Sequence, residues 1–98
     1  MTESVLEIVE FRASGDSSTL ITAAAAMQTW LDQQPGFHWR RLAMLGDGQF
    51  IDCIEWQDME SAKNAAANIM SAPTAGAFMA HIDGRSVNMR HAMISVAQ

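Results

Sequence analysis

The sequence predicts an α+β fold in the order strand, helix, strand, strand, helix, strand. Three observations carry this reading. The dipeptide Asp47-Gly48 lies between two β-prone runs and marks a tight hairpin. An alanine-rich helical stretch precedes that hairpin, and a second helical stretch with an acidic cap follows it. A β-prone run near each end of the chain completes four strands. This order is the split βαβ, ferredoxin-like pattern, with a four-stranded antiparallel sheet and its helices on one face.

Val5 to Arg12 reads as the first strand, because Val5, Leu6, Ile8, Val9 and Phe11 are β-prone. Both of its faces are partly apolar, as suits a sheet covered on both sides. Ser14-Gly15-Asp16-Ser17-Ser18 is a turn that offers helix N-caps. Thr19 to Gln34 is predicted as one helix. Leu20, Ala24, Met27 and Leu31 recur at helical spacing on its core face, with Ala23 and Trp30 beside them. Pro35-Gly36 stops it.

Phe37–Leu45 and Gln49–Gln57 form the predicted hairpin. With Asp47-Gly48 as a two-residue loop, Leu45 pairs with Phe50, Ala43 with Asp52, Arg41 with Ile54 and Trp39 with Trp56. Phe37, Trp39, Arg41, Asp52, Ile54 and Trp56 then share a face, and Arg41 comes within reach of Asp52. A three-residue loop would shift the register by one and bring His38 and Arg40 onto the Trp56 face instead. Asp58 caps a helix from Met59 to about Met70, whose core face is Ala62, Ala65, Ala66, Ile69 and Met70. Pro73 breaks it, and a short helix, Thr74–Ala80, follows. Ile82–Arg85 reads as a turn and Ser86–Ala97 as the last strand, with Val87, Met89, His91 and Met93 on one face.

Ninety-eight residues suit a single domain, residues 1–98. Apolar residues make up 49% and charged residues only 17%, which leaves apolar surface for a partner to cover. A symmetric homodimer with two sheets packed face to face would do this. The formal net charge is −5 and there is no basic stripe, so nucleic acid is not an expected partner. No apolar run is long enough to span a membrane, and the start of the chain lacks the pattern of a signal peptide. A cytoplasmic protein is the default expectation. Cys53 stands alone in a predicted strand, so no internal disulfide is expected.

No metal-ligand spacing, phosphate loop, nucleophile elbow or dinucleotide fingerprint is present. The candidate chemistry lies in single residues. His91, between Met89 and Met93, either lines a pocket as a general base or is satisfied within the core or an interface. Asp52 either acts as a base in an apolar pocket or is held in an ion pair with Arg41. Glu10 poses the same choice, with the ion pair favoured. Trp39 and Trp56 form either a stacking wall for a flat ligand or interface anchors. His81 ends the short helix, as a pocket ligand or as a histidine favoured by the helix dipole.

The stretch Ile51-Asp52-Cys53-Ile54-Glu55-Trp56, followed by Glu60-Ser61-Ala62-Lys63-Asn64-Ala65-Ala66, resembles the dimeric α/β-barrel superfamily. More closely, it is similar to the antibiotic biosynthesis monooxygenase-like proteins. Pro35-Gly36-Phe37 and the late Ile82-Asp83…Val87…His91 segment fit the same pattern. The resemblance implies a homodimer that oxygenates a small aromatic or quinone-like molecule with no cofactor, metal or flavin. It implies a dry pocket, a base and a hydrogen bond to the substrate oxyanion. Carried over by position, His91 and Asp52 are the candidate catalytic residues. Trp56, Trp39, Arg41 and His81 are the candidate substrate-binding residues. The chain has no tyrosine, so a tyrosine-dependent version of that chemistry is absent. A haem-degrading branch is disfavoured, because the first strand has no asparagine and the helix before His81 no tryptophan. The alternative to an enzyme is a non-catalytic ligand-binding or assembly domain on the same barrel. It would have Asp52 paired with Arg41, packed histidines and no sizeable cavity.

Overall fold

A computed structural model describes residues 3–97. The order of elements is β1 (Val5–Ala13), α1 (Ser17–Ala26), α2 (Gln28–Asp32), β2 (Phe37–Gly46), β3 (Gln49–Trp56), α3 (Met59–Asn68), α4 (Ala75–Ala80) and β4 (Ile82–Met93). A 3₁₀ turn, Ile69–Ser71, lies between α3 and α4. The strands form one antiparallel sheet in the order β2-β3-β1-β4. This is the predicted ferredoxin-like α+β architecture.

The predicted first helix is two helices. At Met27 the backbone N–H turns back to the Ala24 carbonyl, tightening the last turn of α1 before α2 begins. The Thr74 hydroxyl, from the turn before α4, lies 3.2 Å from Met27 Sδ and fixes the joint. The predicted core face survives the break: Leu20, Ala24, Met27 and Leu31 are all buried. In α3, Asp58 caps as expected, accepting from the Ser61 N–H at 2.8 Å. Ala62 and Ala65 are buried there, but Ala66 is exposed on the helix itself and Met70 faces outward where the chain has left the α-helix at Ile69.

Two registers differ from expectation. The Asp47-Gly48 loop closes on a Gly46–Gln49 pair as foreseen, but Leu45 is a bulge. Beyond it Met44 pairs with Phe50, Leu42 with Asp52 and Arg40 with Ile54. A second bulge at His38 then sets Phe37 opposite Trp56. The bulges turn Arg40 toward the helices and send Trp39 and Arg41 to the opposite face. There the Arg41 guanidinium stacks over the Trp39 ring at 5.2 Å. No turn residue marks Leu45, so the sequence offers no signal for the extra residue. β4 also begins earlier than predicted, since Ala13 pairs with Ile82 and Arg12 with Asp83 before the ladder slips. The Ser86 hydroxyl fills that slip. It accepts from the Arg12 N–H at 2.7 Å and donates to the Asp83 carbonyl at 2.6 Å.

The core lies between sheet and helices in two clusters. One joins Phe11, Leu20, Met27, Phe50 and Phe78, with Phe11 and Phe50 stacked at 5.8 Å. The other joins Leu31, Ile54, Trp56, Ala62 and Ala65. Gly36 closes the link between α2 and β2 with φ of +81°. A Cβ there would fall on the Ser61 side chain. Gly36→Ala is therefore expected to lower stability by about 1–3 kcal/mol, measured by denaturant unfolding at fixed protein concentration. Ser61→Gly in the same background should recover only the steric share, because the left-handed backbone remains.

Candidate functional site

The sheet register builds the site row by row on the helix-covered face. One row runs Arg40, Ile54, Glu7, His91 across the four strands. The next runs Leu42, Asp52, Val9, Met89, and on the other side lie Phe37, Trp56, Val5, Met93. Thus Glu7, Asp52, Arg40, Trp56 and His91 converge, although they come from four different strands.

Asp52 meets Arg40, not Arg41. Arg40 Nε donates to Asp52 Oδ1 and Arg40 Nη2 to Asp52 Oδ2, both at 2.9 Å. Each side chain is only 6% exposed. The third guanidinium nitrogen, Nη1, donates to the Ala24 carbonyl of α1 at 2.7 Å, and the same group lies 5.6 Å from the centre of the Phe78 ring. Arg40 therefore ties β2 and β3 to α1 and α4. Both oxygens of Asp52 are engaged, and its role is to hold Arg40.

Glu7 is buried without such a partner. Its Oε1 lies 3.7 Å from His91 Nε2, and the His91 side chain is 26% exposed at the edge strand. Burial raises the Glu7 carboxyl above the usual carboxylate range, and the nearby Asp52 charge adds to the rise. The His91 imidazole and the Trp56 N–H oppose it. Among the described residues the buried Trp56 Nε1 makes no hydrogen bond of normal geometry, so it is a donor held ready for the Glu7 charge.

Glu7, Asp52 and Arg40 border a cavity of about 140 Å³. Val9, Phe11 and Ile54 line it from the sheet; Met27, Leu31, Ile69 and Phe78 from the helical side. Glu7, Arg40 and Asp52 are its polar lining side chains. Met79, Val87 and Met89 line it too and are among the exposed large apolar residues, so the mouth lies between α4 and β4.

Of the residues singled out from sequence, Asp52 lines this cavity, and Trp56 and His91 stand beside it through Glu7. Trp39 and Arg41 do not, because the bulges put them on the far side of the sheet. His81 caps the end of α4, half-buried, where its carbonyl accepts from the Ser14 N–H at 2.9 Å. Glu10 is also on the far side, in an ion pair with Arg90 at 2.6 Å. Sequence reasoning missed Glu7 and Arg40. The signal for Glu7 was present: a lone acid on the Val5-Val9-Phe11 face, where an apolar residue would be expected.

No protein-family model matches the chain, and no curated protein matches it closely. Solved structures do. A cofactor-independent oxygenase of Streptomyces nogalater, SnoaB, superposes with a TM-score of 0.73 at 20% identity, over 99% of this chain and 96% of that one. A provisionally assigned antibiotic biosynthesis monooxygenase of Bordetella bronchiseptica gives a TM-score of 0.80 at 10% identity, over 97% of this chain and 100% of that one. The chain has the antibiotic biosynthesis monooxygenase-like fold. A Streptomyces coelicolor monooxygenase of this fold, solved in complex with nanaomycin D, matches with a TM-score of 0.73 at 18% identity, over 98% of this chain and 91% of that one. The likeness is one of fold, and the site has to be judged on its own residues.

Two outcomes follow for this site. Asp52→Ala leaves Arg40 charged and buried, and should cost about 3–5 kcal/mol in denaturant unfolding. Most of that should return in the Arg40→Met/Asp52→Leu double variant, which removes both charges. Glu7 behaves oppositely. Its carboxyl is raised in the folded state, so the stability it contributes is present in acid and lost as pH rises through the folded value. Glu7→Gln should therefore raise the unfolding temperature at neutral pH, with the gain fading in acid, as followed by thermal melts across pH.

Proposed function

We propose that the protein is a small homodimeric oxygenase acting on a hydroxylated aromatic or quinone-like molecule without metal or flavin. The observation that carries this is the cavity: an apolar chamber whose polar lining is one carboxyl, Glu7, with His91 3.7 Å behind it, and one ion pair, Arg40–Asp52. A phenol suits such a place. Its ring takes the apolar walls, and its hydroxyl meets a base whose raised pKa brings it closer to neutral working conditions. Structures of this fold that are described as cofactor-independent oxygenases support the reading.

The chemistry balances without a protein redox group. Loss of the hydroxyl proton leaves an electron-rich phenolate. The substrate supplies all four electrons that reduce dioxygen; one oxygen atom replaces hydrogen on the ring and the other leaves as water, giving a quinone. The protein's share is to exclude water, orient the ring and remove the proton. Glu7 and His91 are the residues placed for the last task, with Asp52 keeping Arg40 in position and Trp56 packed behind Leu31 and Ile54 of the wall.

The dimer rests on the helix-free face of the sheet. Leu6 and Ile8 lie at its centre, flanked by Ile51 and Cys53, and all four remain partly exposed in a single copy. Trp39 and Arg41 border them, with the His38–Glu55 pair at 2.5 Å and the Arg90–Glu10 pair at 2.6 Å nearby. This gives Trp39 the work of an interface anchor. A non-catalytic binding domain is favoured over an enzyme only by the tight Arg40–Asp52 pair.

Purified protein supplied with oxygen and single-ring hydroxylated aromatics is expected to form quinones, followed by product absorbance and oxygen uptake. Glu7→Gln should lower the rate by about a hundredfold or more. No turnover with any such substrate would sink the enzyme reading and leave a binding domain. Light scattering should give twice the monomer mass, and Ile8→Asp should return it to one; a wild-type monomer would remove the dimer from the proposal.

A further inference from the structure

We propose that Glu7 and His91 form a two-residue proton path, from a single-ring phenol in the cavity to solvent at the edge of the sheet. The inference deepens the oxygenase reading of the same cavity. Three observations carry it. Glu7 lines the cavity while His91 does not, so a bound hydroxyl meets the carboxyl first. The two residues sit directly opposite one another on β1 and β4, with Oε1 and Nε2 3.7 Å apart. β4 is an edge strand and the His91 side chain is 26% exposed, so the imidazole reaches water that the Glu7 side chain, at 10%, largely does not.

The cavity volume selects the ligand class. At about 140 Å³ it is close to the roughly 150 Å³ of a buried cavity that takes one benzene ring. One ring with its hydroxyl against Glu7 fits; a fused polycycle would have to open the mouth. Asp52 cannot serve as the acceptor, since both its oxygens are already bound by Arg40.

The steps conserve protons and electrons. The ligand O–H bond breaks, its electron pair stays on the ligand oxygen, and the proton goes to a Glu7 oxygen. Glu7 passes it to His91 Nε2, and the ring returns a proton to bulk water. Gaps of this size commonly shorten when substrate binds. The groups that face Glu7 are His91 from β4 and Asp52 and Trp56 from β3; Arg40, Met27 and Leu31 line the same cavity. The Trp56 N–H lies toward the Glu7 carboxylate and opposes the rise in its pKa, while Arg40, engaged by Asp52 and the Ala24 carbonyl, shapes the cavity wall.

Para-nitrophenol tests this without any oxygenation, because its phenolate absorbs in the visible and its phenol does not. Wild type is expected to bind it as phenolate under mildly acidic conditions, where the free probe is protonated. Glu7→Gln should bind it as phenol, with the ionisation midpoint returned to that of the free probe. Glu7→Asp should restore part of the band. In a stopped-flow pH jump, His91→Gln should show the same final band, reached at least about tenfold more slowly. Wild-type binding as phenol only, an undiminished band in Glu7→Gln, or an unchanged rate in His91→Gln would each overturn the path. The two readings separate cleanly. A phenolate band without turnover sinks the oxygenase and keeps the path; wild-type turnover in Glu7→Gln does the reverse.

Discussion

The bidentate bond between Arg40 and Asp52 is the constraint on which the rest of the structure hangs. It is an ion pair placed where a small domain would ordinarily place apolar side chains. Removing both charges from water is costly, and only good geometry with every donor satisfied offsets it. Here two guanidinium nitrogens bind the carboxylate, the third binds a carbonyl of α1, and the plane packs near Phe78. The pair therefore sets the spacing between the β2–β3 hairpin and the helices above it. The bulge at Leu45 makes sense in this light, since it delivers Arg40 to the covered face, and the one at His38 then returns Phe37 to that face opposite Trp56.

The polar layer also explains why the core is in two parts. Phe11, Phe50 and Phe78 pack at one end of the sheet, Trp56 and Ile54 toward the other. Arg40, Asp52 and Glu7 lie between, where neither cluster can close over them completely. The cavity occupies that gap, walled by Phe11, Met27 and Phe78 of the first cluster and by Leu31 and Ile54 of the second. A chamber of this kind is a defect in stability terms and an asset in chemical terms. Proteins commonly hold such strained or desolvated groups where they act on ligands.

Most of the fold was legible because each element carried its own local signal. Asp58 announced α3, Asp47-Gly48 the hairpin, and the spacing of Leu20, Ala24, Met27 and Leu31 the helical face. The site was less legible, because it depends on register, and register depended on bulges. A bulge is one residue without side-chain chemistry to betray it. That single uncertainty exchanged Arg40 for Arg41 and moved Trp39 from cavity wall to outer face. His91 was placed correctly on its face, since β4 alternates regularly there against β1. Glu7 escaped notice because the first strand was read for its apolar residues, and the exception among them was the informative one.

The adjacency of Arg40 and Arg41 has a consequence for how the hairpin finds its pairing. If β2 slipped by one residue, Arg41 would replace Arg40 opposite Ile54 and diagonal to Asp52, and the same charges would meet. Electrostatics thus bind β2 to β3 without saying which of two alignments is native. The choice falls to the apolar side chains. In the native alignment Leu42 goes under the helices and Trp39 goes outward; in the other, Leu42 turns outward and Trp39 is forced against Trp56, where Phe37 packs. The sheet carries a near-twin of its own hairpin, and steric fit, acting after charge attraction, tells the two apart.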